Sequence, residues 1–207
     1  SFFYRRILTV TIPVVIQNML NIGLNLADTI MIGRLGELEL AATGAANQVF
    51  GIFISVCFGF YSGRALFVSQ YYGVKDINSI RKLIGFDIAL GALIGLAFLS
   101  IAQLKAESII HIFAKDEMVI AYGSRYLRIV SLSYILMAIS FALSYNSRVL
   151  ARMKVPTIIN ASAMVINIVL NYLLIYGVGA FPRLGVSGAA FATLIARGLE
   201  LVALVIY

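Results

Sequence analysis

Four polar side chains share one face of the first apolar stretch of this sequence. They are spaced by three, four and three residues, as neighbours on one side of a helix are: Asn18, Asn21, Asn25 and Asp28. Amides and carboxylates are costly to place in hydrocarbon, so a face turned toward lipid would not keep them. The stripe predicts either the wall of an aqueous cavity or a hydrogen-bonded helix seam, and for Asp28 we favour a functional role.

A second amide stripe lies in the fifth apolar stretch. Asn160, Asn167 and Asn171 share a face there, with Met164 between them. The two striped helices could satisfy each other across an interface, but an interhelical hydrogen bond contributes only about 0.6 kcal/mol on average. Stability alone is therefore a weak reason for so many amides.

Hydroxyls add to this polar set, although a single Ser or Thr usually bonds to its own helix. Thr193 lies in the sixth stretch and Ser144 in the fourth. The side chains predicted to line a cavity are Asn18, Asn21, Asn25, Met164 and Ser144.

Other charges inside apolar stretches predict ion pairs. Arg197 and Glu200 are three residues apart, so a structural pair is expected between them. Asp87 is expected to be solvated or locally paired, and Arg64 either pairs with Asp87 or extends to the membrane surface.

The residues needed for catalysis are not apparent in the sequence. It has one His and one Cys, and we find neither a phosphate-binding loop nor a pair of acids placed for acid and base work. We therefore expect no enzyme activity and no cofactor, which leaves transport driven by an ion gradient.

Composition indicates a membrane protein. Of 207 residues, 61% are hydrophobic and 12% charged, whereas soluble domains have about 25% charged residues. A helix needs about 20 mostly apolar residues to cross a bilayer core about 30 Å thick. The whole chain, 1–207, is predicted to be an all-α integral membrane protein with six transmembrane helices, at about 7–33, 43–70, 82–104, 119–147, 156–177 and 186–207.

The positive charges indicate orientation rather than nucleic-acid binding. The net charge is +7, but most Lys and Arg residues lie in short gaps between apolar stretches. The N-terminus, the second gap and the fourth gap hold eight of them and the other gaps four. Because positive loops stay cytoplasmic, both termini are predicted to be cytoplasmic, in a plasma or bacterial inner membrane.

Five segments resemble the multidrug and toxic compound extrusion (MATE) exporters, in the order of that family. They are Ile12-Pro13, ADTIMIGRLG at 27–36, SQYYG at 69–73, NIVLNY at 167–172 and LGVSGAAFAT at 184–193. The resemblance covers almost the whole chain, and the segment around Asp28 is its most specific part.

The resemblance implies an architecture of two six-helix lobes in one chain. This sequence is similar to the N-terminal lobe, so a C-terminal six-helix lobe is the expected partner. The implied function is secondary active efflux of cationic amphipathic compounds, an export of xenobiotics in exchange for H⁺ or Na⁺. Small organic cations and membrane lipids are the other expected partners.

The resemblance also implies a coupling site. In the family, the acid of the first helix forms a cation site with side chains of the fifth and sixth helices. Asp28, Asn167 and Thr193 match those positions, and Asn171 stands where some members have a second carboxylate. Oxygen ligands of this kind suit a hard cation such as Na⁺, yet protonation of Asp28 alone is an equal alternative. Pro13 matches a proline at which the first helix bends.

Two other functions compete with drug efflux. A flippase for lipid-linked saccharides belongs to the same superfamily but needs a strongly cationic cavity, which Asn stripes with one acid do not provide. A membrane scaffold without transport activity would use the same stripes only to join helices.

Overall fold

The computed structural model describes residues 12, 15, 19, 22–23, 25–150 and 152–207, and within them the chain is built of helices joined by short connections. Helix α1 occupies residues 25–33 of this part of the chain. The other helices are α2 (Glu37–Gly73), α3 (Ile77–Phe113), α4 (Glu117–Val130), α5 (Leu132–Val149), α6 (Lys154–Tyr176) and α7 (Val186–Ile206). Pro13, Asn18 and Asn21 lie outside the described residues, and so does most of the predicted span 7–33.

Four of the described helices are long and apolar enough to cross a membrane: α2, α3, α6 and α7. The pair of α4 and α5 makes a fifth span if the two helices are counted together. Each of these elements contains or closely matches one of the predicted stretches. The all-helical prediction is therefore confirmed, whereas the count of six spans remains a prediction.

Local sequence explains where several helices begin and end. Asp76 caps α3 by accepting hydrogen bonds from the Ser79 amide at 3.1 Å and the Ser79 hydroxyl at 2.6 Å. These bonds, the side-chain one first, hold the pKa of Asp76 below its usual range. Asp116 caps α4 by accepting hydrogen bonds from two backbone amides of its first turn, at 2.8 Å and 3.2 Å. Gly177 follows the last residue of α6, and its left-handed φ of 70° favours glycine.

The stretch predicted as one span at 119–147 is divided into two helices. Helices α4 and α5 meet at Ser131 and are bent by 48°. Gln103 of α3 donates from Nε2 to the Arg128 carbonyl at 2.7 Å and to the Ser131 hydroxyl at 3.1 Å. A side chain from another helix thus satisfies a carbonyl group at the break, which stabilises the bend.

Small residues allow the closest contacts between helices. A Cβ atom added at Gly95 of α3 would lie 2.6 Å from the Ile135 Cα of α5, and one added at Gly188 of α7 would lie 2.5 Å from the Leu174 carbonyl oxygen of α6. Helices α3 and α5, and likewise α6 and α7, pack extensively against each other. Backbones can approach this closely only where the side chain is absent or very small.

An ion pair and a hydrogen bond to the same carboxylate join α2, α3 and α5. Arg64 of α2 pairs with Asp87 of α3, and Asn146 of α5 donates to the other Asp87 oxygen at 2.9 Å. The Arg64 guanidinium also lies 4.3 Å from the centre of the Phe86 ring. Asp87 is only 2% exposed, so the paired alternative is confirmed and the solvated one is wrong.

Candidate functional site

Asp28 of α1 is held against α6 by an amide of the second Asn stripe. The Asn171 Nδ2 group donates to Asp28 Oδ1 and, at 3.2 Å, to Asn167 Oδ1 one turn earlier. A turn beyond, the Tyr176 hydroxyl donates to the Met31 carbonyl at 3.0 Å. These contacts hold the described part of α1 against α6.

The polar contacts continue from α6 to α7. Asn167 Nδ2 donates to the Thr193 hydroxyl at 3.4 Å, and that hydroxyl donates to the Ala189 carbonyl of its own helix at 3.0 Å. Asn167 and Asn171 are 4% and 1% exposed, whereas Asp28 is half-buried. The structure therefore brings together Asp28, Asn167, Asn171 and Thr193 at the place where α1, α6 and α7 meet.

This cluster supplies mainly oxygen ligands for a cation. The Asn171 Oδ1 atom is buried and has no hydrogen-bond partner among the described residues. A buried acceptor without a partner is unfavourable unless a donor or a cation can reach it. Carboxylate, amide and hydroxyl oxygens of this kind suit a hard cation, and the carboxylate alone can take up a proton.

A cavity of about 560 Å³ opens beside the cluster. Its wall includes Asp28, Asn167 and Thr193, together with Tyr126 of α4 and Asn47 of α2. The volume lies in the range of about 300 to 1,000 Å³ that is typical of small-molecule sites. Three of the four cluster residues thus line a space far larger than an ion requires, and Asn171 lies behind them in contact with Asp28 and Asn167.

A second cavity of about 560 Å³ adjoins the first. The two share four lining residues: Asn25, Phe50, Met137 and Arg197. The second cavity is also lined by aromatic side chains and by Glu200 and Asn160. Together they form one trough, which is lined by residues of α1, α2, α4, α5, α6 and α7.

The predicted cavity residues have different positions in this trough. Asn25 lines both cavities and Ser144 lines the second. Met164 is buried, 4% exposed, and is not among the residues that line either cavity. Asn18 and Asn21, like the bend residue Pro13, lie outside the described part of the chain.

Sequence reasoning missed the position of Arg197 between the two cavities. The predicted pair with Glu200 is present, with Arg197 Nη1 2.6 Å from Glu200 Oε2. Asn160 Nδ2 of α6 donates to the other carboxylate oxygen at 2.9 Å. The shared face of Asn160 with Asn167 was the available signal, because it places Asn160 on the side of α6 that meets α7.

The chain matches known proteins over nearly its whole length. A family model described as MatE matches residues 13–173, which is more than half of the sequence. The chain belongs to the MatE family. It is 28% identical over 197 residues to the probable multidrug resistance protein YoeA of Bacillus subtilis (strain 168), which covers 95% of this chain. It is 27% identical over 192 residues to a probable multidrug resistance protein NorM of Geobacillus kaustophilus, which covers 93% of it.

Solved structures have the same fold. A MATE family transporter in an outward-facing conformation superposes with a TM-score of 0.87 at 22% identity, over 96% of this chain. The Vibrio cholerae MATE transporter VcmN in the bent form gives 0.88 at 22% identity, over 97% of this chain. These structures show the fold, and the MatE family model confirms the family expected from the motifs. The apolar helices and this family support a multi-pass membrane protein.

The chain spans less than half the length of the proteins it matches. It covers 42% of YoeA and of the Geobacillus NorM, and 43% and 45% of the two transporter structures. The two cavities therefore lie within a part of the chain that corresponds to less than half of these relatives.

Proposed function

We propose that this chain is the first of two six-helix lobes of a secondary active exporter, which moves cationic amphipathic compounds out of the cell in exchange for H⁺ or Na⁺. The observation that carries the proposal is the contact of Asp28 with Asn171 beside a cavity of about 560 Å³. The names of YoeA and NorM as probable multidrug resistance proteins support the substrate class.

The proposed cycle needs only competition for Asp28. A proton or Na⁺ bound at Asp28 neutralises the carboxylate, and Asn167, Asn171 and Thr193 provide oxygens for Na⁺. An organic cation in the trough favours the ionised form of the Asp28 carboxylate, so it competes electrostatically with a bound proton or Na⁺. A lobe that rocks against its partner would then expose the trough to each side of the membrane in turn.

We place both termini of this lobe in the cytoplasm, on the distribution of Lys and Arg between the gaps. Export from the cell then requires that the ion gradient point inward across the cell membrane. The six-helix count and the missing C-terminal lobe belong to the same proposal, supported by the share of the relatives that this chain covers.

Transport by the full-length protein in proteoliposomes tests the function. Ethidium should accumulate against its gradient when an H⁺ or Na⁺ gradient is imposed in the opposite direction, and dissipation of that gradient should stop it. Transport of a lipid-linked saccharide instead, without ethidium movement, would favour the flippase alternative. Absence of any transport by folded protein would favour the scaffold.

A further inference from the structure

Glu200 is a buried carboxylate on the wall of the second cavity. Its side chain is 4% exposed, and the side chain of its partner Arg197 is 18% exposed. Arg197 and Asn160 occupy one carboxylate oxygen each, at 2.6 Å and 2.9 Å. A buried pair of this kind contributes little net stability compared with apolar residues of similar volume, so a purely structural role explains it poorly.

Two further acceptors in the lining of the same cavity have no hydrogen-bond partner among the described residues. They are Asn160 Oδ1 and Ser140 Oγ, both buried and both in residues that line the second cavity. Asn160 uses its amide donor on Glu200, so its oxygen is left to accept a hydrogen bond. The wall therefore combines the Glu200 carboxylate and these acceptors with two guanidinium groups, those of Arg197 and of Arg148, and Arg148 lies 5.9 Å from the centre of the Tyr145 ring. The carboxylate and the acceptors suit a ligand that carries positive charge or N–H groups and that can take the place of a guanidinium group.

Aromatic rings make up much of the remaining wall. The second cavity is lined by Phe50, Phe58, Phe141 and Tyr145, and the rings of Phe58 and Tyr145 meet edge to face with centres 6.3 Å apart. Aromatic faces attract organic cations and pack against flat apolar ligands. Together with the acceptors, they define the class of ligand as an aromatic or amphipathic organic cation.

Arg197 connects this site with Asp28. It lines both cavities, whereas Asp28 lines the first and Glu200 the second. We propose that Glu200 recognises the charged group of an organic cation, and that Arg197 is a tethered counter-ion which the arriving cation displaces toward Asp28.

This inference rests on the proposed exchange function and gives it a physical coupling. When an organic cation pairs with Glu200, the Arg197 guanidinium loses its partner and turns to the other carboxylate of the trough. There it competes with the bound H⁺ or Na⁺, which leaves Asp28 for the water of the cavity. By linkage, the ion bound at Asp28 weakens organic-cation binding by the same factor.

Equilibrium binding of ethidium to the purified full-length protein tests the recognition step. Glu200→Gln keeps the size and an acceptor oxygen but removes the charge, so the Kd for ethidium should rise by about tenfold or more. An uncharged phenanthridine with the same ring system should bind this variant as well as it binds the wild type. The matched control is Glu107→Gln, because Glu107 forms an exposed pair with Arg128 at 3.2 Å on the protein surface.

Arg197→Gln tests the displacement step. Without the tethered counter-ion, ethidium should bind more tightly than to the wild type, yet it should release much less H⁺ or Na⁺ from the protein on mixing, because only its direct electrostatic effect on Asp28 remains. A merely structural pair predicts no gain in affinity. If either single variant fails to fold, the double variant Arg197→Gln with Glu200→Gln, in which both members of the pair are neutral, tests the inference instead. We expect this double variant to bind ethidium no more tightly than the uncharged phenanthridine.

Three outcomes would overturn the inference: ethidium affinity unchanged in folded Glu200→Gln, ion release intact in Arg197→Gln, or ethidium preference intact in the double variant. The proposed function fails separately. If ethidium binding depends on Glu200 but no ion gradient drives its transport, the recognition site stands and the exchange does not. If transport persists while Glu200→Gln binds ethidium normally, only the inference is lost.

Discussion

The Asn171 amide is the contact that defines the environment of Asp28. It donates to both the Asp28 carboxylate and the Asn167 oxygen, so both of its donor bonds are directed into the cluster. Its own oxygen remains free to accept. Asn167 and Thr193 lie one contact further from the carboxylate, and their oxygens are supplementary ligands rather than the charged one.

Asn167→Ala and Thr193→Ala should therefore weaken coupling without abolishing it. Each removes one neutral oxygen ligand, worth about 0.5 to 1.5 kcal/mol, and so raises the ion concentration needed for half-maximal transport by about two- to tenfold. Ethidium transport at a series of Na⁺ concentrations and pH values measures this. Tyr176→Phe is the control, because it removes a bond to the Met31 carbonyl and leaves the cluster intact. Complete loss of transport in Thr193→Ala would contradict the ranking.

At this scale, the sequence predicted the cluster better than its surroundings. The stripe spacing and the family motifs identified Asp28, Asn167, Asn171 and Thr193, because each lies on a helix face that periodicity defines. Arg197 was interpreted only as a local pair with Glu200. Its position between two cavities depends on how α7 is rotated against α1 and α6, which spacing along a single helix does not encode.

Helices are the scale at which the apolar stretches were most informative. Helices α2, α3, α6 and α7 each match a predicted stretch, and α4 and α5 together match another, because about 20 apolar residues are a strong signal. The bend at Ser131 was not predicted: the carbonyl it frees is satisfied by Gln103, which is distant in sequence. The close approaches at Gly95 and Gly188 likewise depend on the neighbouring helix.

Gly95→Ala should destabilise the packing of α3 on α5. The added Cβ atom would lie 2.6 Å from the Ile135 Cα, so the helices must separate, at a cost of about 1 to 3 kcal/mol. Gly63→Ala on α2 is the matched control, since nothing lies within 4 Å of its added Cβ atom. The thermal midpoint of the purified protein in detergent should fall for Gly95→Ala and be unchanged or higher for Gly63→Ala. Equal midpoints for both variants would show that α3 and α5 do not pack in this way.

Asp87→Ala should be strongly destabilising because it leaves Arg64 partly buried without its carboxylate. Loss of one partner of a buried pair costs about 3 to 5 kcal/mol. The exposed pair of Glu107 and Arg128 gives the contrast, since Glu107→Ala should cost about 0 to 1 kcal/mol. Thermal midpoints again measure both. Replacement of the pair by Arg64→Met with Asp87→Leu should recover most of the loss, and no recovery would indicate a role beyond pairing.

At the scale of the whole chain, the distribution of Lys and Arg is the basis for the proposed orientation in the membrane. Asn78 and Ser108 are both exposed and lie near opposite ends of α3, so they should face opposite sides of the membrane. Asn78→Cys and Ser108→Cys, in a Cys57→Ser background, should differ in their reaction with a membrane-impermeant thiol reagent on intact cells. We expect Ser108→Cys to react directly and Asn78→Cys only after permeabilisation. The reverse pattern would invert the topology and, with it, the direction of export.

Neutralisation of Asp28 tests the central claim most directly. Asp28→Asn, made in the full-length protein, keeps the size of the side chain and an acceptor for Asn171 but removes the charge that would bind H⁺ or Na⁺. We predict normal expression and folding together with loss of ion-driven ethidium transport, whereas Glu107→Gln transports like the wild type. If folded Asp28→Asn transports ethidium at the wild-type rate with unchanged dependence on pH and Na⁺, Asp28 is not the coupling residue and the account is wrong.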